Sequence, residues 1–371
     1  MFRKVYLLSC LLLLLNTAIG QTNSMQALLD SLQTAGQFPG LSLAVIKENK
    51  PALVFVAGYN DKEKKIPLSV DDMMLQGSVG KTYVSALAIK LIMQGKLGLD
   101  QKVSAYLGHY DWFGRLPNAA DVTVRMLMNH SSGIMRYEFK PAFQQDLSAD
   151  PDKFWKPEEL ISYVLDEKAA FDAGEGWDYS DTNYILLGMI LEKLTGKPYY
   201  ESLQAELLEP HQLLNTRPSD RHLLPGLAQG YAGDANAFGG RDKVIDADGR
   251  FIINPQFEWT GGGLYSTTAD LARWGMLLYG GKIIDTTILL SSAVPAKLGP
   301  NTKYGFGVII RSTPLGPSYG HSGFFPGYLT ELAYFPQQKM TIALQCNSSD
   351  FKTLKLSLQR CMIEIAKAMA N

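Results

Sequence analysis

Ser78-Val79-Gly80-Lys81 places a hydroxyl and an amine three residues apart. On a helix that spacing puts both on one face, with the amine one turn below the hydroxyl. A serine is a poor nucleophile until a neighbour takes its proton. An ammonium cannot do this, but a desolvated lysine flanked by other positive groups can lose its proton near neutral pH. A helix N-terminus adds partial positive charge for the developing anion. The same stretch, LQGSVGKTYV, contains Gly80-Lys81-Thr82, the last three residues of a phosphate-binding loop. That reading fails, because the first glycine of such a loop would fall at Leu75. The Gly-x-Ser-x-Gly turn fails too, with Gln76 in its first glycine position. A Ser–Lys pair on a helix remains, and chance alone makes that pair common.

Two further stretches carry matching chemistry. Tyr179-Ser180-Asp181-Thr182-Asn183-Tyr184 stands just before an apolar helix, and His321-Ser322-Gly323 lies in a Gly-rich approach to a strand. In this order the three stretches resemble the penicillin-recognising serine hydrolases: class C β-lactamases, D-Ala-D-Ala carboxypeptidases, D-aminopeptidases and related esterases. That family carries Ser-x-x-Lys, then Tyr-x-Asn, then Lys-Thr-Gly or His-Thr/Ser-Gly. LMNHSSGI resembles its Leu-x-x-His-x-Ser-Gly stretch, and GGGLYSTTADLARW its Gly-Gly-x-x-Ser-Thr-x-x-Asp-Leu-Ala segment.

The resemblance implies that Ser78 attacks a carbonyl and is acylated, with Lys81 assisting its deprotonation. Tyr179 would pass the proton to the leaving group. His321, Ser322 and Gly323 would line the substrate-binding strand, and the N–H groups of Ser78 and Phe324 would form an oxyanion hole. No metal or cofactor is implied. Substrates would be D-amino-acid peptides, including peptidoglycan fragments, or small esters or amides, and a β-lactam would acylate the serine. Two residues depart from the pattern. Asp181 stands where the family has Asn, and an ionised carboxylate only accepts hydrogen bonds. It is expected to pair with Lys81 or to meet an amine on the substrate. His321 stands where lysine is usual. With an unperturbed pKa of about 6.5 it would be only partly charged at neutral pH, which suits a peptidase or esterase better than an efficient β-lactamase. His130 is expected to close a helix end and hold the site loop. Trp112, Phe113, Trp177, Tyr231, Phe325 and Tyr328 are candidates for the cleft wall. The nearer rival is a class C-type β-lactamase, which would release the hydrolysed penicillin fast; the rival from another class is a non-catalytic binder of wall fragments, which has no need of Ser78, Lys81 and Tyr179 together.

The elements that must hold these residues follow from composition and pattern. Of 371 residues, 46% are apolar and 19% charged, enough for a sizeable core. A net charge of −1 gives no basic excess of the kind nucleic-acid binders show. Arg3-Lys4, an apolar run and Ala18-Ile19-Gly20 read as a signal peptide over residues 1–20, which places the chain in the periplasm or outside the cell. No membrane span is expected once it is removed. One hydrolase domain over 21–371 is expected, with a mostly helical subdomain over about 78–257. Helical spacing marks Ser24–Ala35, Ser78–Gly95, Val122–Met128, Pro157–Glu167, Asn183–Leu194, Thr268–Tyr279 and Phe351–Ala370. LSLAVIKENKPALVFVAGY reads as a hairpin, and YGFGVIIR, YLTELAYFP and KMTIALQCNS as strands. The polar stretch over 232–250 reads as a loop. The fold class is therefore α+β: an antiparallel sheet completed by strands from both ends of the chain, flanked by terminal helices on one face. Cys346 and Cys361 read as two buried apolar cysteines, with one disulfide between them left open, and Asp246-Ala247-Asp248-Gly249 as a turn rather than a calcium loop.

Overall fold

Along β1 (Gly40–Lys47), Leu41, Leu43 and Val45 enter one apolar cluster while Ser42 and Ala44 turn to the opposite side, the two-residue repeat of a strand buried on both faces. The computed structural model describes residues 22–233 and 241–370. The expected leader at 1–20 and residues 234–240 of the polar loop lie outside the described residues. After β1 come β2 (Leu53–Asp61), β3 (Ile66–Pro67), β4 (Met74–Leu75), β5 (Thr216–Pro218) and β6 (Leu264–Ser266). The later strands are β7 (Val294–Pro295), β8 (Lys303–Tyr304), β9 (Ile309–Thr313), β10 (Gly316–Phe325), β11 (Tyr328–Phe335) and β12 (Met340–Cys346). They form a nine-stranded antiparallel sheet in the order β3-β2-β1-β12-β11-β10-β9-β8-β7, and a small sheet in the order β4-β6-β5. The first and last strands of the chain thus meet at β1–β12, where Leu41 pairs with Cys346 and Lys47 with Met340.

One face of the large sheet is covered by the two terminal helices, described over 22–36 and Leu358–Ala370. Leu29, Cys361 and Ile365 pack there onto Leu43, Ile342 and Leu344. The Thr268–Tyr279 helix lies on the other face, over small side chains. Gly275 lets it approach: a Cβ there would sit 2.8 Å from side-chain atoms of both Leu332 and Thr341. Ser42 and Thr268 hydroxyls hydrogen-bond across this contact at 2.9 Å. Between β4 and β6 the described regular elements are mostly helices, joined by long irregular stretches, with β5 the one short strand of the sheets among them. The central helices, Lys81–Met93 and Asp181–Thr195, are buried on nearly every side because sheet and neighbouring helices enclose them.

Several boundaries differ from the sequence pattern. The last helix starts at Leu358, because residues 351–357 run irregularly, with Lys355 N–H bonded to Gly36 O at 3.0 Å. The helix at Pro157 ends at Ser162. Cys346 and Cys361 are buried and unpaired. Asp246 Oδ1 accepts the N–H groups of Asp248 and Arg250 at 3.0 and 2.9 Å, so this segment is a turn closed on itself. Among the described residues no helix is long and apolar enough to cross a membrane.

Candidate active site

Ser78 lies in a single 3₁₀ turn, Gly77–Gly80, that runs directly into the Lys81–Met93 helix. The turn is wedged between two backbones. A Cβ on Gly80 would collide with the Gly262 carbonyl, and one on Gly77 would sit 2.5 Å from Phe324 O. Gly77 also has φ +51°, which glycine adopts without strain. From the sheet side, a Cβ on Gly323 would collide with Gln76 O. Glycines at 77, 80 and 323 therefore let the serine turn touch β10 on one side and the strap Pro255–Gly262 on the other. Gln76 anchors its start, donating to Ser266 Oγ at 2.8 Å. Thr82 and Trp274 anchor the helix below: the indole N–H donates to Thr82 Oγ1 at 2.7 Å, and the ring stacks on Tyr83 at 3.9 Å.

Lys81 is completely buried. Its three N–H bonds reach Ser78 Oγ at 3.2 Å, Asp181 Oδ1 and the Gly261 carbonyl. Three acceptors saturate an ammonium. Burial alone would push this lysine down, but the Asp181 carboxylate outweighs burial and holds it above the ordinary lysine range. Burial alone would likewise push Asp181 up; Lys81 and Arg136 reverse that and hold it well below the ordinary range. Arg136 Nη2 donates to Asp181 Oδ2 at 2.8 Å. The expected pairing of Asp181 with Lys81 is thus present. The expectation of a lysine made neutral by positive neighbours is corrected: the nearest charge is negative, and resting Lys81 is charged.

Tyr179 hangs over this pair, with Lys81 Nζ 4.9 Å from its ring centroid. Its buried hydroxyl makes no hydrogen bond of ordinary geometry. Burial pushes the phenol up, while nearby Lys81 and Ser78 draw it down, so it is neutral at rest. His130 ends the Val124–Asn129 helix in a left-handed conformation, φ 64°, and its Nδ1 accepts the Ser180 N–H at 3.2 Å. It thereby holds the start of the Asp181–Thr195 helix, as expected. Its ring packs 4.2 Å from that of Tyr179. Asn183 does not stand in for the missing asparagine, because its side chain is committed to Ser132 and His130.

His321 is buried, and its role as a cation is corrected. Its Nδ1–H donates to Ser322 O at 2.7 Å, so Nε2 accepts from the Tyr304 hydroxyl at 2.9 Å. Burial, with Lys81 adding to it, pushes this histidine down to about 3, so it is neutral at pH 7. Ser322 turns to the opposite face of β10, donating to Glu331 Oε2 at 2.7 Å and accepting from Arg311. Its hydroxyl is not in the site. Phe324 is half exposed, and its backbone lies against Gly77.

Ser78 and Asp181 open on a cavity of about 300 Å³. One wall is polar: Arg136, Glu138 and Glu258. The rest is largely apolar, with Phe139, Phe143, Phe257, Phe324, Phe325 and Phe351. Of the aromatic residues expected around the cleft, Phe325 lines it; Trp112, Phe113, Trp177, Tyr231 and Tyr328 do not. Arg136, Glu138, Glu258 and Gly261 were not legible as site residues in the sequence. The available signal was position, two of them lying soon after HSSG and two in or just before Gly-Gly-Gly. Glu258 is aimed by a kinked strap, in which Trp259 has φ 37°, a region that costs a non-glycine residue about 1–3 kcal/mol.

The family model described as Beta-lactamase matches residues 25–358. The chain is 27% identical over 340 residues to penicillin-binding protein 4* of Bacillus subtilis (strain 168), covering 88% of this chain and 72% of that protein. It is 22% identical over 360 residues to the D-aminopeptidase of Brucella anthropi, covering 94% of this chain and 65% of that protein, just under two thirds of its length. A solved structure of D-amino acid amidase from Ochrobactrum anthropi SV3, complexed with D-phenylalanine, aligns with TM-score 0.80 and 25% identity, covering 95% of this chain and 99% of that one.

Proposed function

The chain belongs to the Beta-lactamase family and is a serine hydrolase of that fold; from this premise we propose that it hydrolyses amides of D-amino acids through an acyl-enzyme on Ser78. The observation that carries the reading is the contact of Ser78 Oγ with a saturated Lys81 ammonium beneath the Tyr179 phenol, at the floor of an open cavity. Lys81 cannot take a proton while it holds three. It can relay one: as Ser78 Oγ bonds to the carbonyl carbon, its proton moves to Lys81, Lys81 gives one to Tyr179, and Tyr179 gives its own to the leaving nitrogen. The carbon–nitrogen bond breaks, ammonia or an amine departs, and the Lys81 charge is unchanged. Water then attacks the ester, and the same relay runs in reverse to restore Ser78. The Ser78 and Phe324 N–H groups would hold the oxyanion, a role that the closeness of the Phe324 backbone to Gly77 supports. His321 and Gly323 act as framework in this reading, the one by bracing Tyr304, the other by admitting Gln76.

The choice of D-amino acid amides is supported by the relatives, a D-aminopeptidase and a D-amino acid amidase. Acylation by β-lactams is the second reading, favoured by the likeness to penicillin-binding protein 4*. The Arg3-Lys4 start and apolar run support export, which fractionation of cells expressing the full chain would test. The test of function is turnover of D- and L-phenylalanine amide, with intact-mass analysis after fluorophosphonate and fluorescent penicillin and with Ser78→Ala as control. Ammonia from the D-amide and a fluorophosphonate adduct absent in Ser78→Ala are expected. No adduct and no turnover would overturn the reading; rapid release of hydrolysed penicillin would replace it with the second.

A further inference from the structure

Side chains alternate along β10, so Ser322 and Phe324 point away from the face of His321 and Phe325. The last helix does not close this reverse face, because it begins only at Leu358. The irregular residues 351–357 cross it instead, pinned where the Leu354 N–H donates to Asp350 O at 3.1 Å and the Lys355 N–H to Gly36 O at 3.0 Å. Beneath them lies a second hollow of about 380 Å³, within the range of small-molecule sites. Leu329, Phe351, Leu354, Leu356 and Leu358 make its apolar lining. Its buried carboxylate is already served: Glu331 pairs with Arg311 at 3.0 Å and accepts from Ser322 Oγ at 2.7 Å. What remains for a ligand is mainly apolar contact, with Lys355 and Gln359 on the exposed rim.

Phe351 is a wall of this hollow and of the catalytic cavity as well. Its side chain is 68% exposed and stacks on Phe324, itself 50% exposed, with ring centroids 6.0 Å apart. Ser322 and Gly323 line the hollow, and Phe324 and Phe325 the catalytic cavity, so one strand and one pair of rings divide the two. Adjoining aromatic rings left in water beside a cavity mark a contact surface. The relay sets which part of a substrate reaches them. Tyr179 delivers the proton to the leaving nitrogen, and its ring lies 6.2 Å from that of His321. The leaving group therefore departs at the His321 end of β10, and the acyl part extends towards Phe324 and Phe351.

We propose that the second hollow is an extension of the active site, taking the far end of a long apolar side chain on the acyl part of the substrate, which crosses the Phe324–Phe351 pair on its way from Ser78. This rests on the amidase reading and narrows it to amides of D-amino acids whose apolar side chain outreaches the catalytic cavity. Phe143, Phe257 and Phe325 pack on one another with centroids 5.6 and 5.8 Å apart, and this fixed wall holds the near part of the chain. The exposed rings of Phe324 and Phe351 are covered when the chain lies across them.

The test separates binding from chemistry. Affinities of the amides of D-alanine, D-norleucine, D-2-aminooctanoic acid and D-2-aminodecanoic acid are measured calorimetrically on full-length Ser78→Ala, and on Ser78→Ala carrying Leu356→Asn. Leu356 lines the hollow but not the catalytic cavity. On Ser78→Ala the affinity is expected to rise along the whole series, by about fourfold for each methylene that is buried. Leu356→Asn is expected to stop the rise at the longer members and to leave the D-alanine amide unchanged. An affinity that levels off at D-norleucine amide on Ser78→Ala, or a rise that Leu356→Asn does not alter, overturns the proposal. If Leu356→Asn does not fold, Phe351→Ala decides, since its ring stands largely in water, and an unaltered rise there overturns the proposal equally. A chain that sediments as a dimer and shows no rise would place a second copy in the hollow, which also overturns it. Turnover of D-alanine amide by the wild-type chain tests the amidase reading on its own, so absent chemistry with an intact chain-length rise is told apart from a failure of the extension.

Discussion

Asp181→Asn isolates the electrostatic centre of the site. Both oxygens of Asp181 accept from cations, Oδ1 from Lys81 and Oδ2 from Arg136. Asparagine keeps the shape but has one oxygen, so its NH₂ must face one of the two cations, donor against donor. If Lys81 stays charged, it is a buried ion without its counter-ion, a defect of about 3–5 kcal/mol. If instead it deprotonates, the cost at pH 7 is that of neutralising an ordinary lysine, about 1.36 kcal/mol for each of roughly three and a half pH units, or about 4–5 kcal/mol. The two outcomes have different pH signatures. In the wild type Lys81 is raised, so its contribution is complete below the ordinary lysine pKa and lost as pH rises through the higher folded value. Asp181 is depressed, so its contribution is complete above the ordinary aspartate pKa and lost as pH falls through the lower folded value. Between about pH 5 and 9 the pair contributes a constant amount. A variant with neutral Lys81 binds one proton fewer folded than unfolded, so its deficit shrinks by about 1.4 kcal/mol per unit as pH rises. Urea unfolding of both proteins at pH 6, 7, 8 and 9 reads this directly. A deficit that narrows with pH reports a neutral lysine, and a constant one a charged lysine. A deficit below about 1 kcal/mol at pH 7 would refute the reasoning, since it lies in the range of an exposed pair.

Gly80→Ala drives a methyl group into the Gly262 carbonyl. It is expected to displace the serine turn and lower kcat on the order of 100-fold, the effect of about 1 Å of misplacement, and an unchanged kcat in the folded variant would contradict the wedge. Trp274→Phe keeps most of the stack on Tyr83 but removes the indole bond to Thr82. It should cost about 1–2 kcal/mol in urea unfolding, and no loss would show that the bond is dispensable. His321, held at about 3, and His130, well below its ordinary value, both stay neutral while the unfolded chain titrates near 6.5. The stability they contribute is present above pH 6.5 and lost as pH falls towards 3. His321→Gln should reduce that slope by about 1.4 kcal/mol per pH unit, and an identical acid-unfolding profile would show that His321 is not neutral in the fold.

What the sequence disclosed was local, and what it hid was tertiary. Ser78 and Lys81 could be paired on paper because three residues on a helix face is a rule of covalent geometry. The Thr268–Tyr279 helix was legible to the residue, since its apolar stripe and capping Thr267 lie within one segment. The resemblance implied a strand at His321–Gly323, but the residues of β10 did not themselves read as a ten-residue strand. Its GPSYGHSGFF is rich in residues that weaken strands, yet Gly323 is there because the Gln76 backbone must approach it. The demand of the site overrode strand propensity. The two-residue strands β3, β4, β7 and β8 are too short to carry any alternation. Asp181 and His321 were visible as departures, but their meaning depended on partners far away in the chain. His321 loses its charge to burial and to a bond with Tyr304, and Asp181 gains a second cation in Arg136. Arg136 holds the second oxygen of Asp181 and in turn holds Glu138. The change from Asn to Asp is thus tied to residues in a separate loop, so exchanging it alone would leave Arg136 and Glu138 arranged around a carboxylate that is no longer there.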